Sequence, residues 1–318
     1  MTKPSWLPAA VLALLLTACT GAPAPSTSAP SVPASASASV EPPAAPDPAI
    51  APGTTGTASV DDRDFELHVP TGYDVHQPTA LLVLLHGYSS NADQVASMFG
   101  IIPAADSRGF LVALPNGTED GAGRRFWNAS SACCNFNRSE VDDSTYLSHV
   151  IDTVSRAYAV DPARVYVAGH SNGGFMAHRM ACEHADQVAA IASLAGVVDI
   201  DPTSCAPRRP VSVLQLHGTA DETIAFGGGK ILNRLYPSAE QTVELWEKLD
   251  GCPTDGTAGT PEDFVRSIPG DETTVTTWSD CIDGTEVALA RIDKGTHIPV
   301  LQPAFAGLLL DWLDAHSR

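Results

Sequence analysis

The chain has 318 residues, and its 37 acidic against 18 basic side chains leave a formal charge of −19. Only four lysines are present, so there is no dense basic patch to neutralise phosphates, and nucleic-acid binding is excluded. Acidity by itself identifies no partner, and no protein partner is implied.

The first residues, MTKPSWLPAAVLALLLTACT, carry one lysine and then a short apolar run that ends in small residues. That pattern predicts a secretory signal peptide over residues 1–18. Leu16-Thr17-Ala18-Cys19 resembles a bacterial lipobox. It implies cleavage before Cys19 and lipidation of Cys19, with the protein extracellular, either anchored on the bacterial cell membrane or secreted. Residues 19–53 are almost all Ala, Pro, Ser and Thr, with only Glu41 and Asp47 charged. Such a stretch has nothing large to bury and cannot offset the entropy of ordering, so it reads as a disordered linker. Residues 54–318 suffice for one sizeable core and are expected to form a single folded domain.

Strand and helix signals alternate through that domain. RDFELHVP (63–70) alternates apolar and polar like a half-exposed strand, whereas ALLVLLHG (80–87) is a continuous apolar run stopped by glycine. NADQVASMFGIIPAADSRG has helix spacing and ends on Gly109, and FLVALPNG is a further buried strand. In VDDSTYLSHVIDTVSRAYAV, Asp142 or Asp143 caps a helix with apolar positions at Tyr146, Leu147, Val150, Ile151 and Val154. Asp161-Pro162 interrupts before the strand RVYVAG, and VAAIASLAGVV, VSVLQLHG and EVALARID repeat the theme. AFAGLLLDWLDAH closes the chain as an amphipathic helix. Buried strands alternating with helices predict a mostly parallel sheet covered on both faces.

Six cysteines remain once Cys19 is set aside. An even number in an exported chain suggests disulfides, although six allow fifteen pairings. Cys182 with Cys205 and Cys252 with Cys281 each close a loop of moderate length, which leaves Cys133 and Cys134 to each other. No CxxC or HExxH spacing supports a metal site.

Between the RVYVAG strand and a helix-like stretch stands Gly169-His170-Ser171-Asn172-Gly173. This is G-x-S-x-G in the strand–turn–helix context of a nucleophile elbow, a turn so tight that glycine is required two residues either side of the serine. A serine hydroxyl needs a base to take its proton and an acid to orient that base, in the chain order Ser, Asp or Glu, His. Asp221 follows the VSVLQLHG strand and His297 precedes the terminal helix, so Ser171, Asp221 and His297 are the candidate catalytic residues, with Glu222 and Asp293 as alternative acids. Two donors must stabilise the oxyanion. The candidates are the backbone N–H of Asn172 and that of Tyr88, in the loop after ALLVLLHG, where Gly87 permits close approach. FGGGK (226–230) lacks the spacing of a phosphate loop. Trp127, in the irregular cysteine-containing segment RRFWNASSACCN, is a candidate for lining the substrate cleft. His178 and His184 lie in a helical stretch and suggest no chemical role.

The elements LLHGYSSNADQ, WN…CC…VDD, DPARVYVAGHSNGGFMA, LQLHGTADETIAFGGG, LWEKLDGC…TWSDC and THIP occur together and in order. With them the chain resembles the secreted polyhydroxybutyrate depolymerase and feruloyl esterase family of serine esterases, related to carbohydrate esterase family one. The resemblance covers nearly all of residues 60–315. It implies an α/β-hydrolase fold, Ser171 as nucleophile, His297 as base, Asp221 as its orienter, oxyanion donors at Tyr88 and Asn172, and no metal or organic cofactor. It also implies an ester substrate, small or polymeric. Members often carry Trp-Pro-Gly after the histidine; here Ile298, Pro299 and Val300 follow His297 and alter the cleft wall. Acyl transfer to a cell-envelope acceptor is the alternative activity on the same machinery, and a noncatalytic surface lipoprotein is the alternative of another class.

Overall fold

The computed structural model describes residues 49–253 and 255–318. The signal segment, Cys19 and most of the linker read from the sequence lie outside the described residues.

An antiparallel pair, β1 (Thr54–Val60) and β2 (Arg63–Val69), leads into β3 (Thr79–Leu85), which is buried along its whole length. Two helices follow, α1 (Ala92–Phe99) and α2 (Ile101–Arg108), where the sequence pattern suggests one. Gly100 divides them: its φ of 64° is left-handed, which closes α1 and turns the chain into α2. After the buried β4 (Phe110–Pro115), a small hairpin of β5 (Thr118–Glu119) and β6 (Arg125–Phe126) precedes α3 (Asp143–Ala157).

Of the two candidate caps for α3, Asp142 does the capping, accepting from the Thr145 N–H at 3.2 Å. Asp143 is turned inward and fully buried, where it accepts from Arg63 Nη1 at 2.9 Å and the Asn128 N–H at 2.8 Å. β7 (Val160–His170) is longer than expected because it takes in Asp161-Pro162. A register shift against β3 between Thr79 and Leu81 accommodates the proline, which has no N–H to give the ladder. Then come α4 (Asn172–Glu183), β8 (Ala190–Leu194) and β9 (Ser212–Gly218). A hairpin of β10 (Gly229–Ile231) and β11 (Arg234–Tyr236) leads to α5 (Ala239–Leu249). The chain ends through β12 (Thr257–Ala258), β13 (Thr273–Trp278), β14 (Val287–Ile292) and α6 (Phe305–Asp314).

One sheet takes ten of these strands in the order β1-β2-β4-β3-β7-β8-β9-β14-β13-β12. The middle run from β4 to β14 is parallel, and the outer strands pair antiparallel. Alternate residues of each strand feed two cores. Leu81, Val83 and Leu85 pack with Leu147 of α3, Met176 of α4 and Trp246 of α5. Leu82 and Leu84 pack with Phe99 of α1, Ile101 of α2 and Leu310 of α6. Burial on both faces explains why the strands read as unbroken apolar runs. The parallel strands β3, β7, β9 and β14 end at one edge of the sheet, with Leu85 beside Gly169 and Gly218 beside Ile292. Their exit loops therefore meet there.

Three disulfides join Cys133 to Cys134, Cys182 to Cys205 and Cys252 to Cys281. The second ties the end of α4 to the segment before β9. The third ties the segment after α5 to the end of β13.

Asp250, at the C-terminal end of α5, is fully buried. Its Oδ1 accepts from the Val211 N–H at 3.3 Å, while Oδ2 has no partner among the described residues. Burial pushes this carboxyl up to about 7, against a small opposing pull from the Val211 N–H. In the unfolded chain an aspartate titrates near 4. The folded state therefore holds this proton more tightly, so the stability associated with it is complete below about pH 4 and is lost as pH rises toward about 7. Asp250→Asn should consequently raise stability at pH 8 by on the order of 1–4 kcal/mol and leave it nearly unchanged at pH 4. Thermal or urea unfolding of both proteins at the two pH values checks this; an equal difference at both would contradict it.

Candidate active site

β7 ends at His170, α4 begins at Asn172, and Ser171 stands between them with φ 53° and ψ −119°. The turn is closed so tightly that a Cβ on Gly169 would lie 2.4 Å from the Gly173 carbonyl carbon, and one on Gly173 2.2 Å from the Leu85 oxygen. No other residue fits either place. The glycines are the condition for holding one hydroxyl above the sheet edge at a helix N-terminus. A non-glycine residue held at positive φ costs roughly 1–3 kcal/mol, which the surrounding packing must offset.

The loops after β9 and β14 bring Asp221 and His297 to Ser171. His297 Nδ1 lies 2.8 Å from Asp221 Oδ2, and His297 Nε2 lies 2.9 Å from Ser171 Oγ. Asp221 Oδ1 accepts from the N–H groups of Thr223 and Ile224, both at 2.8 Å. Burial by itself pushes the Asp221 carboxyl up, but the hydrogen bond from His297, with the two backbone donors, outweighs it and holds the group below its ordinary range. An ionised carboxylate only accepts, so His297 carries its proton on Nδ1 and turns the Nε2 lone pair toward Ser171. Neither alternative acid comes into play: Glu222 is exposed, and Asp293 pairs with Arg291 at 2.6 Å.

The loop carrying His297 is fixed at several points. The Gly295 carbonyl accepts from the Ala220 N–H at 2.9 Å, and the Lys294 N–H donates to Thr219 Oγ1 at 2.8 Å. His170 Nε2 donates to the His297 carbonyl at 2.7 Å. Burial, reinforced by the neighbouring His297, lowers His170 to about 4, so its ring stays neutral and serves as a hydrogen-bond strut.

Tyr88 lies in the loop after β3. The Gly87 carbonyl accepts from His86 Nδ1 at 2.8 Å and from the Ser90 N–H at 3.1 Å. These bonds fix the plane of the Gly87–Tyr88 peptide, whose N–H points opposite to its carbonyl. His86 is held in the matching tautomer because its Nε2 accepts from the Gly117 N–H at 2.9 Å. Neither the Tyr88 N–H nor the Asn172 N–H has a hydrogen-bond partner among the described residues. Both remain available to a developing oxyanion.

Trp127 does not line the cleft. It is fully buried behind the serine, where its N–H donates to Asn172 Oδ1 at 2.7 Å, its carbonyl accepts from Asn172 Nδ2 at 3.0 Å, and Nε1 donates to the His86 carbonyl at 2.9 Å. A buried indole N–H needs a hydrogen-bond partner, and the His86 carbonyl supplies it. Trp127 thus braces both candidate oxyanion loops from below. The cleft itself is a cavity of about 510 Å³ beside Ser171 and His297, walled by Tyr88, Val95, Met98 and Ile298. Sequence reasoning missed the support given by His86 and His170. The available signal was that a His-Gly step directly follows the buried β3, and that another histidine directly precedes the serine.

Comparison with known proteins gives the family and the fold. Over 211 residues the chain is 32% identical to NocK of Nocardia uniformis subsp. tsuyamanensis, an esterase by name, covering 66% of this chain and 58% of that protein. It is 28% identical over 246 residues to feruloyl esterase B of Piromyces equi, covering 74% of this chain and 42% of that one. The chain thus spans about half the length of these curated relatives. In structure it is similar to acetyl xylan esterase from Aspergillus awamori, with a TM-score of 0.59, 16% identity, and coverage of 82% of this chain and 99% of the other. That likeness identifies the architecture as the α/β-hydrolase fold. The profile described as esterase PHB depolymerase matches residues 64–252, more than half of the sequence, and the chain belongs to that family.

Proposed function

We propose that this protein is a carboxylic ester hydrolase working through an acyl-enzyme on Ser171. The observation that carries the reading is the continuous line from Asp221 through His297 to Ser171 Oγ, with bonds of 2.8 and 2.9 Å. His297 Nε2 takes the hydroxyl proton as Oγ attacks the ester carbonyl, and the charge on the carbonyl oxygen falls between the N–H groups of Tyr88 and Asn172. Collapse of this intermediate passes the proton from His297 to the departing alcohol. Water then repeats the sequence on the acyl-enzyme and releases the acid.

The apolar wall of Val95, Met98 and Ile298 suits a short aliphatic or aromatic acyl group. The names of the relatives favour acetyl, feruloyl and 3-hydroxybutyryl esters as the compounds to compare. Three disulfides suit an oxidising compartment. Together with the signal and lipobox read at Cys19, they support a surface-anchored or secreted enzyme whose catalytic unit covers residues 54–318.

A fluorophosphonate probe tests the chemistry directly. The purified protein is expected to take up one label, mapping by peptide mass to Ser171, with simultaneous loss of p-nitrophenyl acetate hydrolysis. Labelling elsewhere, or hydrolysis surviving full labelling, would overturn the proposal.

A further inference from the structure

Behind Asp221 lies a line of buried polar side chains that the reaction itself does not use. Trp246, His178, Gln215 and His217 come from α5, α4 and β9, and each is 1% exposed or less. Trp246 Nε1 lies 3.0 Å from His178 Nδ1, and His178 Nε2 lies 2.9 Å from Gln215 Oε1. Gln215 Nε2 reaches the Gly196 carbonyl at 2.8 Å and His217 Nδ1 at 3.3 Å. His217 Nε2 reaches the Ile224 carbonyl at 2.7 Å and stands 3.6 Å from Asp221 Oδ2.

Three members of this line have no freedom, and they fix the rest. The Trp246 indole can only donate, so His178 Nδ1 accepts and its proton sits on Nε2. The Gly196 carbonyl can only accept, so the amide of Gln215 faces it and Oε1 faces His178. The Ile224 carbonyl can only accept, so His217 carries its proton on Nε2 and takes the second Gln215 N–H on Nδ1. Every donor thus meets an acceptor in one consistent direction from α5 to the loop after β9. Burial lowers the pKa of both histidines, which keeps each to one donor and one acceptor.

The last bond is the informative one. Ile224 gives its N–H to Asp221 Oδ1 at 2.8 Å and its carbonyl to His217. The same residue therefore holds the carboxylate on one side and is held by His217 on the other. The His217 N–H also lies beside Oδ2, the oxygen that meets His297.

We infer that, given the role proposed above for Ser171, His297 and Asp221, His217 is a positioning residue. Its Nε2–H pins the 221–224 turn and so sets where the Asp221 carboxylate meets His297, with the line from Trp246 holding that proton on Nε2. A role in fold stability alone would make the same bonds but would leave turnover per folded molecule untouched.

The experiment compares wild type, His217→Phe and His217→Gln in the full chain. For each it measures kcat and KM on p-nitrophenyl acetate, thermal unfolding, and the downfield proton NMR signal of His297 Nδ1–H. In His217→Phe, kcat should fall about 10- to 100-fold, because sub-ångström to ångström misplacement of a catalytic group costs that much. KM should stay within about twofold, since the substrate wall is unchanged. The Nδ1–H signal should shift or broaden. His217→Gln, whose amide can donate to the Ile224 carbonyl, should recover most of kcat and the signal. Should His217→Phe fail to fold, His217→Asn, whose amide is too short for that bond, takes its place with the same expected loss. A folded Phe or Asn variant with wild-type kcat and an unmoved signal overturns the inference, as does a loss confined to thermal stability. Failure of the hydrolase reading is seen separately, as wild-type turnover that Ser171→Ala does not remove, because the proton signal reports the Asp221–His297 contact without any substrate.

Discussion

Replacing Ser171 by alanine should lower kcat for p-nitrophenyl acetate by about 10⁴- to 10⁶-fold while leaving the unfolding temperature close to wild type. The loss is large because the proposed reaction makes the hydroxyl oxygen the bond-forming atom, and no other nucleophile stands within hydrogen-bonding reach of His297 Nε2 among the described residues. The fold should tolerate the change. Alanine keeps the Cβ that already fits at φ 53°, and Ser171 Oγ makes no side-chain bond other than the one to His297. The residual rate should stay above that of water, because the N–H groups of Tyr88 and Asn172 still polarise a bound ester. Steady-state kinetics on protein shown to be folded by circular dichroism settles the matter, and turnover within tenfold of wild type would rule Ser171 out as nucleophile.

The second large effect is expected from Asp221→Asn, and here the geometry predicts the mechanism of failure. Oδ1 of residue 221 faces two groups that can only donate, the N–H of Thr223 and that of Ile224. An asparagine must present its oxygen to them, which leaves its NH₂ toward His297 Nδ1. That nitrogen then has to accept, so the imidazole proton moves to Nε2 and Ser171 loses its base. A fall of about 10⁴-fold in kcat follows from a misplaced proton with the backbone unmoved. The diagnostic is a large loss of kcat at near-constant KM and preserved stability. A loss within tenfold would mean that the acid does not control the tautomer of His297.

Much of this site is legible in the sequence because its parts are local. The Gly169–Gly173 turn is a clash problem within five residues, and a buried strand before it and a helix after it complete the signal. The buried strands are legible for a similar reason, since burial on both faces leaves unbroken apolar runs. Asp142 and Asp143 show where local reading stops. Both suit a helix N-terminus, and the choice between them was made by Arg63, 80 residues away in sequence. Gly100 is a similar case: helical spacing continues across it, yet its left-handed φ breaks the helix so that α1 and α2 can both press on the same core.

Trp127 and the buried histidines mark the same boundary from the functional side. An aromatic in an irregular segment reads equally well as a cleft wall or as a brace. The partners of Trp127, His86 and Asn172, are 41 and 45 residues away. His178 looked inert because a helical histidine has no local signature. Its bonds run to Gln215 at a separation of 37 residues and to Trp246 at 68.

The sequence by itself determined the layered α/β architecture, the tight turn at Ser171 and the chain order of the residues proposed to act with it. Those follow from steric limits on a tight turn and from the way burial writes itself into short-range apolar patterns. Only the tertiary structure decided which side chains meet: the proton placement on His297, the burial of Trp127, and the line of donors behind Asp221. Hydrogen bonds between residues far apart in the chain depend on distances and directions that no local pattern encodes, and the folding of the sheet edge sets them all at once.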